Sequence, residues 1–194
     1  MRKIITISRE FGAGGAQIGK KVASELGYEF YDKDIIIRSA MESSDLTAND
    51  FSNWDEKVPL GFEFAQTLFD FYNRPVNERI FTAQREAIRK IAEKGKCVIL
   101  GRNANSILSE YDSCLNIFVS ASEYFKLNNL ASKLPGYSQE RILREMKAVD
   151  KMRSKYCNYF TNTEFGVAEY YDLCLRSSDL GIDKCVDIIL DVAK

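Results

Sequence analysis

The chain contains no histidine. A serine–histidine–aspartate or cysteine–histidine nucleophile, an HExxH metal site and a histidine pH switch are therefore excluded. Cysteine is sparse: five thiols, at 97, 114, 157, 174 and 185, stand eleven or more residues apart. Without a CxxC pair there is neither a zinc knuckle nor a thioredoxin-type motif. An odd, scattered set in apolar contexts reads as buried free thiols in a reducing compartment. Charge of one sign is not in excess either. Lys plus Arg is 27 and Asp plus Glu is 28, a net charge of -1. That is neither the basic footprint of a nucleic-acid binder nor an acidic disordered tail. No apolar run approaches membrane-spanning length, and the one behind MRKIITISRE is too short for a signal peptide. The expected setting is the cytoplasm, with no membrane and no nucleic-acid partner. At 194 residues and 45% apolar content, the chain is long enough to bury a core as one domain, 1–194.

Short β-branched and apolar runs alternate with amphipathic stretches. Lys3–Ser8, Tyr28–Tyr31, Cys97–Leu100, Leu115–Val119 and Tyr171–Leu175 read as strands. Helices are expected from Ala16 to Gly27, over 33–43, from Pro75 to about Glu93, over 123–133, from Ser138 to about Asn158, and from Leu180 onward. Residues 44–74 are less regular and are read as helical. Their aromatic cluster at 62–72 reads as core or as a homodimer face. Strands that are continuously apolar and separated by helices indicate a parallel α/β sheet covered on both faces.

Ligands of such sheets bind beyond the carboxyl ends of the strands. Straight after the first strand come Gly12, Gly14 and Gly15. Glycines there fold the backbone tightly and aim several N–H groups at one point, and the following helix adds its positive end. Gly12, Ala13, Gly14, Gly15, Ala16 and Gln17 are thus a candidate phosphate cradle; the plain alternative is a strand-to-helix turn that needs positive φ. A literal GxxxxGK match at Gly14–Lys20 is rejected, because it puts Gly19 and Lys20 inside the helix. In the register that starts at the strand end, Arg9 takes the first glycine slot and Gly15 the lysine slot. A dinucleotide fingerprint competes, with Gly12 and Gly14 matching and Asp32 near the ribose-binding position, but Gln17 fills its third glycine.

The order SREFGAGGAQIGKKVASELGYEFYDKDII, VILGRNA, LNIFVSAS, VDKMRSKYCNYFTNTEFG and YDLCLRSSDLGIDKCVDII resembles the cytidylate-kinase-like branch of the cytidylate kinases, whose phosphate loop reads SRE-x-G-x-G-G without the lysine. The resemblance implies a P-loop nucleotide kinase fold: a five-stranded parallel sheet with helices on both faces, an acceptor-binding helical region at 33–95 and a helical lid at 138–166. It implies transfer of the ATP γ-phosphate, with Mg2+, to a nucleoside monophosphate, CMP-like, or a similar small acceptor. Arg38 and Arg102 would reach the acceptor phosphate beside Asp32. Asn103, a further acceptor-binding candidate, takes a slot that is aspartate in cytidylate kinases, where it contacts the sugar. Lys147, Asp150 and Arg153 would belong to the lid. With the loop lysine absent, Arg9 is the first candidate to supply its charge and Arg153 the second, both as catalytic groups. No metal ligand is assigned.

Each of these residues also has a structural reading. Arg38 suits a solvated helix face, Arg153 sits among Lys147, Lys151 and Lys155, and Asp32 suits a helix cap. Phe125, Lys126 and Asn128 stand where these kinases carry arginines, Phe165 replaces a tryptophan, and Arg176 replaces a small polar residue. Two further readings remain open: a non-catalytic nucleotide-binding regulator, and a dinucleotide-binding oxidoreductase.

Overall fold

In the computed structural model, the described residues are 2–47, 50 and 75–194. The aromatic cluster at 62–72 and the helix expected around it lie outside them.

β1 (Ile4–Arg9) leads through the glycine turn into α1 (Gly15–Leu26), followed by β2 (Glu29–Tyr31) and α2 (Lys33–Glu42). Next come α3 (Pro75–Lys94), β3 (Cys97–Leu100), the single-turn α4 (Ala104–Ile107) and β4 (Cys114–Ser120). α5 (Glu123–Ala131), α6 (Gln139–Thr161), a 3-10 turn at Ala168–Tyr170, β5 (Leu173–Arg176), the short α7 (Ser177–Leu180) and α8 (Ile182–Ala193) complete the chain. All five strands are parallel, in the order β2-β3-β1-β4-β5. In a dinucleotide-binding sheet the second strand lies directly beside the first. Here β3 separates them, so Asp32 at the end of β2 is one strand removed from the glycine turn, and the dinucleotide reading is set aside.

Side chains alternate across β1. Ile5 and Ile7 pack with Ile18 and Val22 of α1 and Cys185, Val186 and Ile189 of α8. Ile4 packs on the other face with Cys97, Ile99 and, from α3, Phe81, Ile88 and Ile91. Thr6 and Ser8 share that second face and interrupt its apolar run; Thr6 Oγ1 donates to Asn116 Oδ1 at 2.6 Å. Gly19 explains how closely α1 lies on the sheet. A Cβ there would stand 2.9 Å from the Phe30 ring and 3.2 Å from Ile7 Cδ1.

Three expectations need correction. The last strand begins two residues late, because Tyr171 turns its ring onto Phe118, with centroids 5.1 Å apart. As an edge strand β5 is only half covered, so Cys174 is exposed while the other four thiols are buried and free. The C-terminal helix begins at Ile182 after Gly181 breaks it from α7 at φ 78°.

Gln84 of α3 is fully buried, and among the described residues neither its amide nitrogen nor its oxygen has a hydrogen-bond partner. Burying an unpaired amide costs about 1–3 kcal/mol. Gln84→Met, of similar shape, should therefore raise the melting temperature by about 2–4 °C per kcal/mol recovered. A scan by calorimetry showing an unchanged or lowered Tm would mean that the amide is satisfied.

Candidate active site

The carboxyl ends of β1, β3 and β4 meet at one edge of the sheet, and there the glycine turn stands. Gly12 and Gly14 adopt φ of 86° and 83°, where a side chain is strained. A Cβ at Gly14 would also lie 2.5 Å from Ile182 Cδ1. The loop's carbonyls are held from outside: Arg9 O by Arg153 Nη1 at 3.0 Å, Gly12 O by Asn129 Nδ2 at 2.7 Å, Ala13 O by Ser177 Oγ at 2.7 Å. The N–H groups of Gly15, Ala16 and Gln17 form the first turn of α1 and have no intrahelical acceptor. They share that end with the helix dipole, which favours an anion.

Arg9 crosses this end of the sheet. A Cβ on Gly15 would stand 2.7 Å from Arg9 Cβ and 2.9 Å from its Cγ, so the arginine stem occupies the space above the lysine slot. At its far end, a Cβ on Gly101 would fall on Arg9 Nη1. The arginine therefore lies between two glycines, one at the start of α1 and one just past β3.

Gly101, Arg102 and Asn103 follow one another at φ 73°, 59° and 54°. Consecutive left-handed residues cost roughly 1–2 kcal/mol each outside glycine, and such strain concentrates where a side chain must be aimed. Both Arg102 and Asn103 are buried. Asn103 Nδ2 has no hydrogen-bond partner among the described residues. Arg102, Arg9 and the buried Arg153 of α6 line one narrow crevice with Ser8, Tyr156 and Phe165. The three guanidiniums meet in this nearly closed space of about 20 Å³; planar forks of this kind grip a phosphate bidentately.

A second layer of charge holds the loop to the helices. Lys126 Nζ lies 3.1 Å from Glu10 Oε2 and 3.7 Å from Asp150 Oδ2. The Ala121 N–H also donates to Glu10 Oε2, at 3.1 Å. Asp150 Oδ1 accepts the Phe11 N–H at 2.7 Å and stands 3.6 Å from Arg153 Nη1. Burial pushes the Asp150 carboxyl above its ordinary range, outweighing the Phe11 hydrogen bond and the two cations that favour its charge.

The other candidates lie apart from the crevice lining. Asp32 caps α2, its Oδ1 accepting the Asp34 and Ile35 N–H groups at 3.1 and 3.3 Å. Arg38 is exposed on α2, with Nε donating to Asp34 O at 3.3 Å. Lys147 is exposed on α6 and pairs with Glu123 at 3.5 Å. Lys20, of the rejected register, lies on the exposed side of α1 beside the Phe30 ring. Sequence reasoning did not single out Glu10, Asn129 or Ser177, and met Lys126 only as a missing arginine. Their partners are loop backbone atoms and one another, which no spacing rule reveals.

Among the described residues magnesium is not matched by a protein-held site. Among the described residues there is no group of three or more metal-ligating side chains. Ala16 offers no hydroxyl at the start of α1, and the carboxylates nearest the loop, Glu10 and Asp150, are engaged by Lys126 and by backbone N–H groups.

The fold has counterparts in known proteins. The chain is 26% identical to a crystallised uncharacterized protein from Eubacterium ventriosum, with a TM-score of 0.76 covering 98% of this chain and 97% of that one. A shikimate kinase from Bacteroides thetaiotaomicron shares the fold at 13% identity, with a TM-score of 0.54 and 97% of each chain covered. A cytidylate kinase from Methanococcus vannielii is 25% identical over 188 residues, 96% of this chain and 97% of the relative. The model of the cytidylate kinase-like family matches residues 4–179, from the first strand through the glycine loop, the Gly101 turn and α6 to α7, and to that family the chain belongs.

Proposed function

We propose that this protein transfers the γ-phosphate of ATP to a nucleoside monophosphate or a similar small phosphorylated acceptor. The observation that carries this reading is the convergence of Arg9, Arg102 and Arg153 on one crevice beside the glycine loop. Phosphoryl transfer requires in-line positioning and neutralisation of charge on the moving group, with little other chemistry. In this reading the first turn of α1 holds the ATP phosphates. Arg102 and Asn103 hold the acceptor phosphate, both acting as donors. Arg9 stands between the two and supplies the positive charge for which the loop has no lysine. Arg153 adds charge from α6, which lies against the glycine loop and would screen the phosphates from water. Magnesium would enter as the counter-ion of ATP, held by the nucleotide phosphates and water rather than by a protein cage.

Gly14→Val should abolish ATP binding, because a branched side chain at φ 83° strains the turn and meets Ile182. Isothermal calorimetry on protein verified as folded by circular dichroism checks this; unchanged affinity puts the phosphates elsewhere. Arg102→Ala should weaken monophosphate binding by about 1.5–3 kcal/mol while leaving ATP affinity nearly intact. Equal loss for both ligands would make Arg102 structural or move it to the donor side. Arg9→Ala should lower turnover by about a hundred- to a thousandfold, the usual effect of removing one preorganised donor at developing charge, and should change ATP affinity much less. Protein that binds ATP yet phosphorylates nothing in a broad monophosphate panel would favour the regulator reading instead.

A further inference from the structure

The crevice borders a larger space on the same face of the sheet. This cavity, of about 510 Å³, lies between α3, α4, the end of α6 and the segment leading into β5. It falls in the size range of small-molecule sites. Two contacts run between the walls of this cavity and those of the crevice. Ser8, which lines the crevice, donates from Oγ to Asn105 Oδ1 of the cavity wall at 3.4 Å. Tyr156, also of the crevice, packs edge-on against Phe81 at 6.1 Å and tilted against Phe160 at 5.0 Å. Phe81 and Phe160 are stacked at 4.3 Å and line the cavity's near end.

Beyond that aromatic pair, α3 presents Arg85 and Arg89, four and eight residues after Phe81 and so roughly 6 and 12 Å further along the helix. One carboxylate oxygen, Glu86 Oε1, stands between them, 3.8 Å from Arg85 Nε and 3.9 Å from Arg89 Nη1. Both distances exceed a hydrogen bond. Arg85 Nε is buried and has no hydrogen-bond partner among the described residues. The α3 wall thus carries two guanidiniums against one loosely placed carboxylate. The opposite side carries Glu110, Glu169 and Asp172, of which Asp172 accepts the Asn116 N–H at 2.7 Å and Glu169 accepts from Tyr170. A bare anion would meet both signs. A molecule with an acidic group at one end and hydroxyl groups along its side would satisfy both.

We infer that the cavity receives the body of the phosphate acceptor and that Arg85 and Arg89 select acceptors carrying a second acidic group remote from the phosphate. This inference rests on the acceptor reading given above. With one phosphate on the arginines of the crevice, a planar ring reaches the Phe81–Phe160 pair. The hydroxyl groups donate to the carboxylates, and the distal acid takes the unmatched donors of Arg85 and Arg89. These two arginines are specificity residues; they do not touch the transferred group.

The test compares uridine 5′-monophosphate with two probes that add one acid to it: orotidine 5′-monophosphate and uridine 3′,5′-bisphosphate. Binding and steady-state kinetics are measured on wild type and on the Arg85→Gln/Arg89→Gln protein. At least one doubly acidic probe should bind wild type about tenfold or more tighter than the plain nucleotide. The double variant should lose that margin through KM, while kcat and the affinity for the plain nucleotide hold. If neither probe gains over the plain nucleotide, or if the margin survives in the double variant, the inference falls and the acceptor reading stands. If none of the three nucleotides binds, both fall.

Discussion

An arginine laid between two glycines organises this end of the molecule. The stem of Arg9 fills the space above Gly15, and its guanidinium fills the space beside Gly101. Neither position tolerates a Cβ while Arg9 keeps its course. The loop's missing lysine and the glycine past β3 therefore share one cause. Because Arg9 ends β1 and Gly101 follows directly on β3, this packing also ties together neighbouring strands at the point where the left-handed turn presents Arg102 and Asn103. Like charges gathered in one crevice repel, and the repulsion grows as the local dielectric falls. In the proposed function a bound phosphate offsets that repulsion.

A net of opposite charges surrounds that positive centre. Lys126 joins a carboxylate of the loop, Glu10, to one on α6, Asp150, and so binds α5, α6 and the glycine turn into one unit. α6 is a single helix of 23 residues. One stretch of it packs Ile142 and Met146 with Leu130 of α5, and its last turns put Phe160 on Phe81 of α3. The helix that contributes Arg153 is thus anchored on both sides of it. A cation such as Lys126, engaged by two carboxylates, serves architecture, whereas the arginines at the strand ends face the crevice.

Much of this was legible in the chain before any coordinates. β1, β3 and β4 are central strands and read as largely apolar, β-branched runs. β5 is an edge strand, its alternation is visible only once its exposed side is known, and its start was misplaced by the inward turn of Tyr171. The glycine loop and the exchange of arginine and glycine between its two key slots could be read from register alone. The path of Arg9 to Gly101 could not, because it depends on β3 lying beside β1, and strand order is not a local property. Lys126, Asn129 and Ser177 escaped for a related reason: each meets the loop from more than fifty residues away. Gly19, which looked like part of a phosphate motif, is instead the point where α1 touches Phe30 and Ile7.

The Arg9–Gly15 contact also bears on how such a loop arises. A lysine introduced at 15 while Arg9 remains would collide with the arginine stem. A glycine introduced at 9 alone would strip the crevice of a cation and supply none in exchange. A lysine at 15 fits only where residue 9 is small. The two positions, six residues apart, are therefore sterically coupled, and a change at one is accommodated only with a change at the other.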